Sequence, residues 1–230
     1  MELALICAQQ VIVLLLLIGV GTLAVKTGVL KLEHKQPLSN LLVNIVVPAM
    51  IVNSYQMEFS LEILRNLLAA FGLSILTIAL GTVLTLALTA RRKNSRTAIF
   101  RFASIFSNAA YMGFPLISAL FGSEGLLYAS AYVTVFNVLL WTLGYSMVSG
   151  SSDPKAVVKS LAHTPAIYAV LVGLAIYLLQ IPIPALLAQP ISLLGAMNTP
   201  LSMLITGMLI GILSDRILSA VKREGRKSSS

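Results

Sequence analysis

The sequence predicts an all-α integral membrane protein with seven transmembrane helices. Three observations predict it. Hydrophobic residues make up 57% of the 230 residues and charged ones only 10%, against about 25% charged in a soluble domain. The mean hydropathy is +0.92, too apolar for a surface that meets water. The apolar stretches are long and uninterrupted, not the alternating segments of about ten residues that a barrel needs.

Each span follows from a charge-free interval of roughly 20 residues. Span 1 lies within residues 3–25. Glu2 precedes it and no Lys or Arg does, so the positive region of a cleaved signal is missing and the span is expected to be retained. Span 2 lies within 36–57, span 3 within 66–90, span 4 within 102–123 and span 5 within 125–152. No charged residue occurs from Ser160 to Ser214, an interval too long for one crossing. The segment QIPIPALLAQP (180–190) divides it, because Pro182, Pro184 and Pro190 oppose helix continuation. Span 6 is then about 164–179 and span 7 about 191–213. The tail KREGRKSSS is expected to lack structure.

The basic residues test this count. With the N-terminus outside, fifteen of the sixteen Lys and Arg fall in inside segments, and only Arg65 falls outside. A wrong number of spans would scramble that alternation, so the expectation is N-out and C-in. The same clustering disfavours nucleic acid as the partner of the +8 net charge. A single cysteine, Cys7, excludes an internal disulfide and gives no metal spacing. His34 and His163 sit beside inside loops, and Trp141 and most tyrosines read as packing or interfacial anchors. No acid, base or His lies at membrane depth, so neither an enzyme site nor a cofactor is expected. A seven-helix retinal receptor fits poorly too, because no Lys lies between 190 and 213.

Polar and helix-breaking residues inside the spans mark the candidate site. In SNAAYMGFP (107–115), Gly113 and Pro115 are expected to interrupt span 4. Lipid cannot satisfy an opened backbone, so the break must be sheltered by protein or line a wet cavity. Free N–H groups and a positive half-helix end suit an anion. Asn108 and Tyr111 are three apart and share a face. The alternative is a packing kink with Asn108 bonded to a neighbouring helix. Asn44, Asn137 and Asn198 are further candidates, each also suited to interhelical bonding. Pro48 in span 2 and Pro200 in span 7 are mid-span breaks at matching places, five helices apart, which suits an inverted repeat. Gly207 and Gly211 form a small-xxx-small pair, suited to a dimer seam or to intrachain packing.

The segments SNAAYMGFPLISALFGSEGLLYASAYVTVFNVLLWTLG (107–144), TPAIYAVLVGLAIYLLQIPIPALL (164–187) and NTPLSMLITGMLIG (198–211) resemble the auxin efflux carrier family of permeases in its short bacterial form. The resemblance extends from residue 1 to about 214. It implies a fold of two inverted five-helix repeats. Helices 1, 2, 6 and 7 form a scaffold, and helices 3–5 and 8–10 form a transport domain in which helices 4 and 9 are broken. Against that pattern this chain stops after span 7. Residues 1–150 correspond to the first repeat, 151–214 to the start of the second, and 215–230 to a basic cytoplasmic tail. The resemblance implies a carrier for small organic anions such as dicarboxylates in a bacterial inner membrane. The partners it implies are that anion, the lipid bilayer and a homodimer through the scaffold helices. A non-transporting or dimerising fragment is the alternative expectation.

Overall fold

The computed structural model describes residues 2–91, 95–106, 109–144, 146–147, 155 and 164–228. Among these residues every regular element is helical. Five helical stretches are long and apolar enough to cross a membrane: Ala8–Lys26, Leu32–Ser54, Leu61–Thr89, Gly113–Gly144 and Ala185–Ser214. Pro165–Leu179 is a shorter apolar helix.

Helix α1 (Glu2–Lys26) is an uninterrupted apolar rod that ends at its first basic residue. The chain then turns at Gly28, whose φ of 79° suits a residue without Cβ. Helices α2 (Lys35–Leu41) and α3 (Val47–Ser54) are joined without a gap by a π-turn over Leu42–Val46. Val47 N–H reaches back to the Leu42 carbonyl, five residues away. Pro48 follows directly. The wide turn lets the chain pass the proline ring without ending the helix.

Helix α4 (Leu61–Thr89) is a single long rod. Helix α5 (Ser95–Ile105) begins earlier than span 4 was expected to, and it includes Arg96 and Arg101. The physical reason is visible at Arg101. Its Nε donates to Thr89 Oγ1 at 2.7 Å and its Nη2 to the Thr89 carbonyl at 3.1 Å, so its charge caps the end of α4.

Helix α6 (Ala109–Leu139) is assigned as one element, but Gly122 has φ 59° and ψ −147° inside it. A Cβ on Gly125 would lie 2.9 Å from the Ile117 side chain. Eight residues of straight helix would separate these positions by about 12 Å. The helix therefore kinks sharply at Gly122 and divides into two limbs. A π-turn (Leu140–Gly144) ends the second limb.

Helix α7 (Pro165–Leu179) stops at Gln180, which adopts the left-handed conformation at φ 49°. Pro182 and Pro184 follow, and α8 (Ala185–Ala196) begins straight after them. The expected start near residue 191 is thus corrected. Pro190 lies inside α8, where it forfeits one bond near the first turn. A single residue, Met197, separates α8 from α9 (Asn198–Ser228). Helix α8 ends four residues before Pro200, where the proline ring would meet the preceding carbonyl. Helix α9 continues to Ser228 through a tail expected to be unstructured. Ala, Lys, Arg and Glu there are good helix formers.

The helices cross closely where glycine allows it. Gly21 of α1 lies against the Leu204 carbonyl, and Gly207 of α9 lies against the Ile18 carbonyl. Thr22 Oγ1 is 3.0 Å from the Gly207 carbonyl, bridging the two helices. This settles the open alternative for Gly207 and Gly211 in favour of intrachain packing on α1. Gly195 of α8 meets the Met50 backbone of α3, and Gly173 of α7 meets the Tyr55 ring.

Candidate functional site

The stretch around SNAAYMGFP lies between two helices. Helix α5 ends at Ile105 and α6 begins at Ala109. Asn108 lies outside the described residues. Tyr111 is in the first turn of α6, and its side chain is likewise outside them. Helix α6 runs on through Pro115, so the change of element falls before the proline and not at it. Only one backbone bond, to the carbonyl of residue 111, is forfeited at Pro115. Burial keeps the helix intact there, since Phe114 is 1% exposed and Pro115 is among the fully buried side chains. Gly113 is half-buried, and a Cβ added to it would meet nothing within 4 Å.

Neighbouring elements hold this segment in place. Phe102 and Phe106 of the α5 end stack at 5.3 Å between ring centres. Phe106 meets Phe136 of the second α6 limb edge-on at 5.6 Å. Gly144 lies against the Phe102 and Phe106 rings. The α5 end thus packs in an aromatic cluster with the second limb, while Phe114 and Ile117 of the first limb belong to the core shared with α3 and α4.

The other candidates are dispersed. Asn137 is half-buried on the second limb of α6. Asn44 lies in the π-turn and is exposed, with Nδ2 donating to the Asn40 carbonyl at 2.9 Å. Asn198 is 3% exposed at the start of α9, and its Oδ1 has no partner among the described residues. Helix α9 packs against α6, so Asn198 sits on an element that borders the candidate segment. Asn44 and Asn198 occupy opposite environments, one open and one closed. Pro48 follows the π-turn, and Pro200 lies in the first turn of α9, where its missing N–H is least costly.

Three polar contacts escaped the sequence reading. Tyr55 and Ser130, both fully buried, hydrogen-bond at 2.9 Å and tie the end of α3 to the second α6 limb. Tyr177 OH donates to the Ser60 carbonyl at 2.8 Å and accepts from Ser60 N–H at 3.1 Å. Gln180 Oε1 accepts from Phe59 N–H at 3.1 Å, which also explains why a non-glycine residue tolerates the left-handed cap. Residues 59 and 60, which lead into α4, are therefore pinned to α7. No local pattern signals such pairs, because their partners are more than 70 residues apart.

The model of a family described as membrane transport protein matches residues 6–160. An uncharacterized transporter of Methanothermobacter thermautotrophicus is 26% identical over 208 residues, covering 88% of this chain and 67% of that protein. An uncharacterized transporter of Methanocaldococcus jannaschii is 24% identical over 211 residues, covering 86% of this chain and 67% of that protein.

Proposed function

The chain belongs to the membrane transport protein family, and from that premise we propose that this multi-pass membrane protein is a permease for small organic anions such as dicarboxylates. The observation that carries the reading is the change of helix between Ile105 and Ala109. About 16 Å of helix precedes it in α5, and about 20 Å follows before the Gly122 kink. The N-terminus of α6 then lies near mid-membrane, where its free N–H groups and positive dipole end favour an anion. Asn108, Tyr111, Asn137, Asn44 and Asn198 are the proposed polar partners, with Gly113 and Pro115 shaping the backbone beside them.

The finer architecture belongs to the same proposal. Counting the two α6 limbs separately makes seven crossings, N-out and C-in, with α1, α2–α3, α7 and α8–α9 as scaffold and α4 to α6 as the moving group. Movement is a rocking or elevator-like shift of that group. A homodimer through the scaffold would use a face other than Gly207 and Gly211, which α1 occupies. An inside-negative potential of ~100 mV favours anion export by about 2.3 kcal/mol per charge, so efflux or exchange is the proposed direction.

The test is flux of labelled malate- or malonate-like dicarboxylates into liposomes carrying the full chain. Substrate-dependent flux is expected, and Asn108→Ala should abolish it. Flux that is unchanged in that variant removes Asn108 and the α6 N-terminus from the site.

A further inference from the structure

The α2 helix and the π-turn after it carry three side-chain amides at four-residue spacing: Gln36, Asn40 and Asn44. All three are exposed. Gln36 Nε2 donates to Asn40 Oδ1 at 3.1 Å, and Asn44 Nδ2 donates to the Asn40 carbonyl at 2.9 Å. These bonds leave Asn40 Nδ2 and Asn44 Oδ1 without a partner among the described residues. The row climbs from one end of the Leu32–Ser54 span towards its middle. Asn44 lies about 18 Å along the helix from Leu32.

The backbone is also open at that height. In α-helical register residue 48 would donate its N–H to the Asn44 carbonyl, and in π register to the Val43 carbonyl. Pro48 can donate to neither. Val43 and Asn44 are both exposed, so the amide row ends where Pro48 withholds a helical donor from one backbone carbonyl. Hydrocarbon cannot satisfy such groups, and each one left bare there is costly.

We infer that Gln36, Asn40 and Asn44 form a hydrated track that leads from one membrane surface to the π-turn at mid-depth. Water fills it, and its amides offer N–H donors to carboxylates and oxygen acceptors to hydroxyls of a polar organic solute. The solute part of this inference rests on the transporter reading above. The hydration part rests on the exposed amides and the proline-opened backbone alone.

Single cysteines test it in the full chain, in a Cys7→Ala background, in right-side-out and inverted membrane vesicles. The variants are Gln36→Cys, Asn40→Cys and Asn44→Cys, with Leu73→Cys on the exposed face of α4 as the lipid-facing control. The probe is a charged, membrane-impermeant methanethiosulfonate. All three positions should label from the same membrane face, each at least tenfold faster than residue 73. Labelling no faster than the control overturns the track. Oxidative cross-linking into disulfide dimers with labelling blocked also overturns it, because a second copy then covers the face. Hydrogen exchange on the unsubstituted chain gives a second readout. Amides of residues 40–47 should exchange at least tenfold faster than those of 70–78, and equal protection overturns the inference. Labelling needs no turnover. A chain that labels but moves no substrate removes the transporter reading and keeps the track hydrated, whereas flux through a dry face does the reverse.

Discussion

The two groups of helices in this chain are joined by different kinds of contact. Helices α1, α3, α7, α8 and α9 meet at Gly21, Gly173, Gly195 and Gly207, where an added Cβ would strike a carbonyl, a backbone or a ring. Helices α4, α5 and α6 meet mainly through side chains: the Phe102, Phe106 and Phe136 cluster, whose rings also lie against Gly144 after α6, and the Arg101 cap on Thr89. Gly72 and Gly81 of α4 have nothing within 4 Å of an added Cβ. Backbone set against backbone leaves no room to slide, because every displacement loses many short contacts at once. Side chains can change rotamer and follow a neighbour. The contrast predicts that the first group tolerates added volume at its crossings less than the second.

Substitutions can break or sharpen that contrast. The largest effect is expected for Gly207→Leu, which drives a side chain into the Ile18 backbone. Loss of about 3 kcal/mol or more is expected, read as failure to recover monodisperse protein or as a large fall in thermal midpoint in detergent. Tyr177→Phe removes both bonds that pin Ser60 and should cost about 1–2 kcal/mol in the same assay. Tyr55→Phe removes the buried hydrogen bond to Ser130 that ties the end of α3 to the second α6 limb, and about 1 kcal/mol is expected. Gly72→Ala should be neutral or slightly stabilising, by up to about 1 kcal/mol, because it adds helix propensity in open space. Equal losses at Gly72 and Gly207 would erase the distinction between the two groups.

Much of this was legible before any coordinates. Asn44 and the prolines at 48, 115 and 200 stand out in the sequence. Their consequences differ, although the residue type is the same. Before Pro48 the helix widens into a π-turn, Pro115 is carried inside a buried helix, and α8 ends four residues before Pro200. Local chemistry says that a proline forfeits a bond, and the surrounding packing decides whether the helix tolerates it. Arg101 teaches the same lesson. A charge-free interval excluded it from a helix, and its contact with Thr89, twelve residues earlier, admits it.

The sequence by itself determined the solvent this protein lives in and most of the helix spans, because hydropathy and helix-breaking residues act over a few neighbouring positions. It also determined which polar groups must find partners away from water. Tertiary structure alone decided that Asn198 is enclosed while Asn44 is open, and that Gly207 serves α1. These are properties of faces. A face becomes buried only when a distant segment arrives against it, and no local pattern records that arrival.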